Sequence, residues 1–285
     1  MFEIGLVTKT FTALLLHEMV GRGEVSLDDP IGRHLPPEVP TPTLGSRSIT
    51  LLDLVTHTAR LPNNGRTLIR QALRDQKHPF ARYSVEDLHA DVARARIRRR
   101  IGERVRYSNI GFGLLGHLLA RAAGAPYDAL VSDRVTRPLG LADTAVHPSD
   151  RARYARGHMN RRTPAPDCEI PTLGGAGALR STARDMVVYL HAHIDPSTTP
   201  LEGPLEDVQR PRAAVARGRH AIASAWLLRR GELGIVAWHN GGTPGFGSFV
   251  GFDRRADAGI VVLTNTRHRM RVDNAAFGVL EALAR

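Results

Sequence analysis

Cysteine and long apolar runs are almost missing from this chain of 285 residues. The single cysteine, Cys168, excludes a disulfide within the chain and leaves the redox compartment open. No apolar run approaches the roughly 20 residues that a membrane-spanning helix needs, so we expect no transmembrane segment. No charged and then apolar leader with a cleavage site precedes Phe2. The chain as given is expected to stay in the cytoplasm, whereas a longer precursor with a leader would be exported.

Lysine is also rare, although the chain is basic. The net charge is +11, and of the 39 lysines and arginines all but Lys9 and Lys77 are arginines. Arginine keeps its charge at any ordinary pH, whereas a desolvated lysine amine can act as a neutral base. Lys9 stands near the start of an apolar helical pattern, where it is either a solvated surface charge or a group that transfers protons.

The positive charge does not by itself indicate a nucleic-acid partner. The arginines are spread through the chain, with one dense run, RARIRRR, at residues 94–100. No aromatic residues are interleaved with this run, and no nucleic-acid-binding motif accompanies it. We expect the run to be the solvated face of a helix; the alternative is a surface that binds phosphate or a membrane.

Two further motifs suggest a metal or nucleotide site but lack the pattern that either needs. His191 and His193, on a predicted helix, point away from each other, and no third ligand follows at a suitable spacing. The GGAG motif at 174–177 lacks the preceding strand and the spacing of a dinucleotide fingerprint. The sequence therefore predicts no metal and no cofactor.

Hydrophobic periodicity predicts helices in the first part of the chain and strands near its end. The predicted helices are 8–20, 50–54, 85–99, 110–123, 126–137, 183–193 and 273–284. The predicted strands are 221–228, 233–239, 248–253 and 258–266. Because strands and helices do not alternate as βαβ units, this order indicates an α/β or α+β fold with an antiparallel sheet.

Three short elements carry chemistry-bearing side chains: LVTK at 6–9, YSN at 107–109 and HNGG at 239–242. Each is a weak signal alone. Their contexts add information, because they fall at a helix start, at a turn that opens a second helix and at the end of a strand.

With these elements the chain resembles the serine β-lactamase and penicillin-binding-protein-like hydrolases. Within that family it is most similar to class C β-lactamases, D-alanyl-D-alanine carboxypeptidases and related esterases. The resemblance covers nearly the whole chain and includes ITLLDLVTHT, YSNIGFGLLGHLL, GGAGALRSTARDM and HNGGTPGF. It implies a β-lactamase/transpeptidase-like fold, with a mainly helical region at 10–165, a sheet-containing region formed by 1–9 and 166–285, and the site between them.

The resemblance also implies acyl transfer through a serine ester, without a cofactor. The ligand would be a small molecule or peptide: a β-lactam, a D-alanyl peptide or an ester. These three substrate classes share the same motifs, so the substrate stays open, as does the oligomeric state.

Roles follow for the residues of the three elements. Lys9 would share the proton of the nucleophile, and Tyr107 would be the general base beside it. Asn109 would hydrogen-bond Lys9 and the amide of the substrate. Outside this family, Tyr107 would be read as an ordinary half-buried aromatic residue.

The third element would bind the substrate. His239 would hold the substrate carboxylate or help to relay protons; outside the family it would be a structural histidine. Gly241 and Gly242 follow it, and the backbone N–H of Gly242 would form half of the oxyanion hole.

The nucleophile of the family is absent. Leu6 occupies the serine position, and a leucine side chain has no lone pair with which to attack a carbonyl group. Its backbone N–H could still form the other half of the oxyanion hole. On a helix, Thr8 lies roughly 200° around from position 6 and Thr10 about one turn above it, so neither hydroxyl group is expected to replace the serine.

Two other departures from the family pattern are visible. The family commonly reads H-T-S-G-L where this chain has His57 to Leu61, and Arg60 in place of glycine is expected to change the turn. The family also places a helix and two strands ahead of the nucleophile. Their absence would leave the predicted strand 258–266 with an exposed apolar edge.

Three hypotheses remain. The chain is a serine-hydrolase relative whose acylation is disabled by Leu6, a pseudoenzyme. Alternatively, it is a module that binds peptidoglycan-like peptides or β-lactams without turning them over. The third hypothesis is an active esterase or peptidase that uses an unrecognised route.

Overall fold

The computed structural model describes residues 1–160, 162–214, 220–230, 234–266 and 269–283. Within these residues the helices are α1 (Thr8–Gly21), α2 (Leu51–Val55), α3 (Arg66–Arg74), α4 (Val85–Ala93), α5 (Asn109–Ala123), α6 (Tyr127–Val131), α7 (Gly174–Gly177), α8 (Ala183–Ile194), α9 (Glu202–Asp207) and α10 (Arg269–Leu283). The strands are β1 (Phe2–Glu3), β2 (Thr43–Leu44), β3 (Arg47–Ser48), β4 (Arg180–Ser181), β5 (Ala213–Ala214), β6 (His220–Ile222), β7 (Leu227–Arg230), β8 (Ile235–Gly242), β9 (Gly247–Asp253) and β10 (Ala258–Thr264).

The main sheet is antiparallel, with six strands in the order β10-β9-β8-β7-β6-β5. On one face α8 packs against β9 and β10, and on the other face α10 covers β8, β9 and β10. The α10 face buries Phe249 against Trp238 and Phe277, while the α8 face buries Trp226 against Phe252 and His193. Strands β9 and β10 therefore lie between two helices, and β8, which carries the HNGG element, is supported by its pairing with β9.

Helix α1 is the central helix of the fold. The sequence predicts an amphipathic helix with Phe11, Leu14, Leu15 and Met19 on its buried face, and these side chains are indeed buried. The opposite side of α1 is buried too, because α5, α6, α7 and α9 all pack around it. A helix enclosed on every side has little freedom to move, so it holds Lys9 in a fixed position.

The termini of several predicted helices are confirmed by their caps. The Thr50 side chain accepts a hydrogen bond from the Asp53 backbone N–H and opens α2 with a capping box. Ser108 caps α5 through the Gly111 N–H, and Gly124 ends that helix with a φ of 63°. These caps place YSN at the first turn of α5, as predicted.

The predicted helix at 85–99 is too long, because α4 ends at Ala93. Beyond it Ala95 and Ile97 are half-buried, whereas Arg94, Arg96 and Arg98 are exposed. This alternation has the period of an extended chain and offers no apolar face at helical spacing. The arginine run is therefore an irregular exposed segment, not a helix face.

The strand predictions were correct in place but not in every boundary. The predicted strand 221–228 is two strands, β6 and β7, separated by a turn at which Ala225 has a φ of 65°. Helices α3 and α9 were not predicted. The predicted start of one strand at 233 and the predicted end of the last helix at 284 lie outside the described residues.

No helix in the described part of the chain is both long and apolar enough to span a bilayer.

Candidate active site

The LVTK element is fixed against the end of β8 by close backbone packing. A 3-10 turn, Gly5–Val7, precedes α1, and Gly5 has a φ of 50°. A Cβ atom on Gly5 would lie 2.7 Å from the backbone nitrogen of Gly242, and one on Gly241 would lie 2.1 Å from the Ile4 carbonyl oxygen. Only glycine fits such approaches. The turn that carries Leu6 is thereby held against the HNGG element.

Lys9 is fully buried and hydrogen-bonded. Its Nζ donates to Oδ1 of Asn109 and to the carbonyl oxygen of Ala176, both at 2.9 Å. The side chain has no exposed surface, and burial lowers the pKa of its amine well below the ordinary value. The amine is thus positioned by two acceptors and made easier to deprotonate, as a group that exchanges protons requires.

Tyr107 lies beside the amine. Lys9 Nζ is 5.1 Å from the centre of the Tyr107 ring and 5.7 Å from that of Phe112. On its other sides the Tyr107 ring is 4.4 Å from the ring of His57 and 6.3 Å from that of His239, measured between ring centres. The three sequence elements therefore meet around one tyrosine.

The two histidines beside Tyr107 are buried and neutral at ordinary pH. Burial, followed by the charge of Lys9, lowers the pKa of His57 far below its usual range and that of His239 to about 3. His57 Nδ1 accepts a hydrogen bond from the Ser108 backbone N–H at 3.1 Å, so its proton is on Nε2.

His239 has the opposite tautomer. Its Nδ1 donates to the carbonyl oxygen of Asn240 at 2.7 Å, which leaves a lone pair on Nε2. Among the described residues, neither Nε2 atom of the His57 and His239 pair has a hydrogen-bond partner. His57 thus offers a buried N–H donor beside Tyr107, and His239 offers a buried nitrogen acceptor beside the same ring.

Asn109 is held by the loop that follows α2. Its backbone N–H donates to the Asn63 carbonyl oxygen at 2.9 Å, and its Nδ2 donates to Asn64 Oδ1 at 3.3 Å. This leaves Oδ1 turned toward Lys9. The loop at 63–64 and the carbonyl group of Ala176 are parts of the site that the sequence did not indicate.

Leu6 lies in the 3-10 turn that precedes α1, three residues before Lys9. Its side chain is half-buried, and its Cδ2 lies 3.7 Å from where a Cβ on Gly177 would be. The neighbouring hydroxyl groups are committed elsewhere: Thr8 Oγ1 accepts from the Leu179 N–H, and Thr10 Oγ1 donates to the Val7 carbonyl. Both threonines are fully buried; that neither replaces the serine stays a prediction.

Arg60 adopts a conformation that glycine would adopt more easily. Its φ is 64°, and that of His57 is 58°. For a residue with a Cβ this left-handed conformation costs about 1–2 kcal/mol. The arginine was expected to change the turn, yet it takes the left-handed conformation itself, so the turn does not need glycine.

A cavity of about 470 Å³ lies next to the site but is separate from it. Its walls include Tyr127, Tyr154, Glu169 and Arg180, and none of Lys9, Tyr107 and His239 lines it. We place the candidate site at the Lys9 cluster because Lys9, His57 and His239 there combine a lowered pKa with defined hydrogen bonds. No group of three potential metal ligands occurs among the described residues.

Comparison with known proteins identifies the family of the chain. The family model described as Beta-lactamase matches residues 1–284. The D-alanyl-D-alanine-carboxypeptidase/endopeptidase AmpH of Escherichia coli K12 is 27% identical over 298 residues, which cover 97% of this chain and 74% of that protein. A Beta-lactamase of Pseudomonas fluorescens is 26% identical over 325 residues, which cover 99% of this chain and 84% of that protein.

Two solved structures share the fold. The Beta-lactamase/D-alanine Carboxypeptidase from Yersinia pestis complexed with citrate has a TM-score of 0.84 at 23% identity, over 99% of this chain and 82% of that one. The octameric penicillin-binding protein homologue from Pyrococcus abyssi has a TM-score of 0.85 at 21% identity, over 99% of this chain and 65% of that one. They confirm the predicted β-lactamase/transpeptidase-like fold. Because the family model matches almost every residue, the chain belongs to the beta-lactamase family.

Proposed function

We propose that this chain is a serine-hydrolase relative whose acylation step is disabled by Leu6. One observation carries the proposal: the Lys9 amine is held at 2.9 Å from both Asn109 Oδ1 and the Ala176 carbonyl, whereas residue 6 is a leucine. In acyl transfer through a serine ester, the hydroxyl oxygen attacks the carbonyl carbon and gives up its proton to a nearby base. Leucine has neither the oxygen nor the proton.

The remaining groups are arranged for that missing step. A buried lysine whose pKa is lowered gives up its proton more readily than a solvated one, and beside a tyrosine it can accept and return a proton. The close packing of Gly5 on Gly242 brings the backbone of the Leu6 turn to the end of β8, where two N–H groups would stabilise a carbonyl oxyanion. We infer that the leucine removes the nucleophile and leaves the rest of the machinery in place.

A second candidate function follows from the same preorganisation. A pocket whose polar groups are already ordered can bind a β-lactam or an acyl-D-alanyl-D-alanine peptide without reacting with it. The relatives named above act as D-alanyl-D-alanine carboxypeptidases or β-lactamases, which supports these two ligand classes. The Pyrococcus homologue is octameric. Light scattering would measure the oligomeric state of this chain.

The proposal is tested by restoring the hydroxyl group. The wild type, Leu6→Ser and the double variant Leu6→Ser/Lys9→Met are incubated with a fluorescent penicillin and with p-nitrophenyl acetate. We expect a covalent adduct and a burst of nitrophenol only in Leu6→Ser, because it alone has both the nucleophile and the amine. A Leu6→Ala variant is the matched control, since it opens the same space without supplying an oxygen.

The outcomes separate the three hypotheses. Saturable binding of the penicillin by the wild type without an adduct would favour the binding module. Loss of that binding in a folded Asn109→Ala variant would locate it at this site. A burst or turnover by the wild type equal to that of Leu6→Ser would overturn the proposal and favour an unrecognised route.

A further inference from the structure

Most of the net positive charge of the chain is concentrated in one stretch. Residues 60–106, which we call the basic segment, hold 13 of the 39 lysines and arginines and 5 of the 28 aspartates and glutamates. The segment therefore has a net charge of +8 out of +11 for the whole chain. A field of one sign over so short a stretch attracts an extended anionic partner.

One of the five carboxylates of the basic segment is held inside the fold. Asp91 is buried and accepts hydrogen bonds from the backbone N–H groups of Thr67 and Leu68 and from the hydroxyl group of Tyr83. The described residues contain one ion pair that involves a cation of the segment, between Arg100 and Glu103. The other guanidinium groups are thus available to an external anion.

Four arginines of the basic segment also act on one another. The pKa of Arg60 is lowered, first by partial burial and then by the charges of Arg106, Arg99 and Arg104. Mutual repulsion of this kind is relieved when an anion binds between the groups. The Arg106 guanidinium donates to the Arg60 carbonyl oxygen at 3.2 Å, which keeps two of these residues together.

Helix α3, which belongs to the basic segment, has an exposed apolar stripe. Ile69 and Leu73 are 48% and 70% exposed and lie one turn apart. Arg66, Arg70 and Arg74 are exposed beside them at the same spacing, while Leu68 on the opposite face is buried. A helix with large apolar side chains next to a row of arginines has the pattern of helices that lie at a membrane interface.

We propose that the exposed face of α3, together with the arginines of the basic segment, docks this protein onto a bilayer surface that contains anionic phospholipid. Arginines would contact the phosphate groups, and Ile69 and Leu73 would enter the boundary between headgroups and acyl chains. Nucleic acid or an acidic polysaccharide would satisfy the charge but would leave the two apolar side chains in water. The apolar stripe is therefore the feature that favours lipid.

Docking would place the candidate active site at the membrane surface. Helix α3 begins directly after Asn63 and Asn64, which hold Asn109, and Arg60 and Arg106 flank the turns that carry His57 and Tyr107. Asp91 joins α3 to α4, so the docking helix is attached to the fold rather than to a free loop. This inference is independent of the chemistry at Leu6.

The test measures co-sedimentation of the wild-type protein with large unilamellar vesicles. The vesicles are phosphatidylcholine alone or with about one third phosphatidylglycerol, at about 0.1 M NaCl. Two double variants probe the surface: Arg70→Gln/Arg74→Gln for charge and Ile69→Ser/Leu73→Ser for apolar insertion. Their matched controls are Arg184→Gln/Arg255→Gln and Val187→Ser/Val188→Ser, which change exposed residues elsewhere on the chain.

We expect the wild type to bind the anionic vesicles and not the neutral ones. The charge variant should weaken partitioning roughly 25-fold, about fivefold per arginine, and the apolar variant roughly tenfold or more. Both controls should bind like the wild type. Absence of binding to anionic vesicles would overturn the proposal. So would an apolar variant that binds them as the wild type does, because the surface would then be a general site for polyanions.

Discussion

The Lys9 amine lies over the ring of Tyr107, with Nζ 5.1 Å from the ring centre. The two residues are almost a hundred positions apart in the chain and are brought together by the packing of α1 against α5. A buried amine with a lowered pKa beside a phenol suits the proton transfer that we propose for this pair. Under the proposed function, the pair has no nucleophile to activate, because residue 6 is a leucine.

The proposed proton-transfer role of Lys9 can be measured separately from its contribution to packing. In the Leu6→Ser background we expect Lys9→Met to lower the acylation rate at least about 100-fold, because the base is lost. The free energy of unfolding should change by less than about 2 kcal/mol, because two contributions oppose each other. Methionine keeps the volume and removes the cost of burying the amine, which stabilises the fold. The two acceptors lose their donor, which destabilises it. Stopped-flow bursts and urea unfolding measure the two effects.

The control for this variant is Lys77→Met, which changes the other lysine of the chain at an exposed position. It should alter neither the rate nor the stability. If Lys9→Met kept the full burst, the proton-transfer role assigned to Lys9 would be wrong.

The contact between the Leu6 turn and β8 should tolerate no side chain at Gly241. A Cβ there would lie 2.1 Å from the Ile4 carbonyl oxygen and 2.4 Å from Ser248 Oγ. We expect Gly241→Ala to destabilise the fold by roughly 2–3 kcal/mol, because backbone atoms must move. Thermal unfolding followed by circular dichroism measures the change.

Gly278→Ala is the matched control for this variant. Gly278 lies within α10, and a Cβ there would meet nothing within 4 Å. The substitution should raise stability by about 0.5–1 kcal/mol, since alanine favours a helix more than glycine does. Equal effects of the two substitutions would contradict the close packing that we describe.

Buried neutral histidines should make the fold sensitive to mild acid. Burial lowers the pKa of His17 and His193 to about 4 and that of His239 to about 3, whereas histidine in an unfolded chain titrates near 6.5. The unfolded state therefore binds these protons first. Stability is full above about pH 6.5 and falls as the pH drops toward 4, by up to about 1.4 kcal/mol per unit for each histidine.

His193→Phe isolates one of these contributions. The ring of His193 packs edge-on against Trp226, and phenylalanine keeps that packing without titrating. Urea unfolding from pH 7.5 to 4.5 measures how the free energy of unfolding changes with pH. This pH dependence should be smaller in His193→Phe by the contribution of one histidine. The control His191→Gln, at an exposed position, should keep the pH dependence of the wild type. An unchanged pH dependence in His193→Phe would show that burial does not hold this imidazole neutral.

Much of the fold could be predicted because local signals agreed with tertiary packing. Thr50, Ser108 and Thr182 cap three helices that the hydrophobic pattern predicts, and Gly124 ends α5. The prediction failed where a local pattern was ambiguous. The arginine run after Ala93 has helix-forming residues but no apolar face, so α4 ended early. Ala225 bends the chain through a positive φ that no residue type announces, which split one predicted strand into two.

The candidate site was predictable only in part. Lys9, Tyr107, Asn109 and His239 belong to motifs, and the structure brings them together. His57 was noted only as part of a turn, although its ring lies 4.4 Å from that of Tyr107, measured between ring centres, at an angle of 34°. The Ala176 carbonyl group could not be found at all, because a backbone acceptor becomes part of a site through tertiary packing alone.

The most direct test of the account is the intact mass of the wild-type protein after incubation with benzylpenicillin. We expect the mass to stay that of the unmodified chain, because residue 6 offers no oxygen with which to form an ester. A stable increase equal to one penicillin, located by peptide mapping to any residue of the site, would contradict the account.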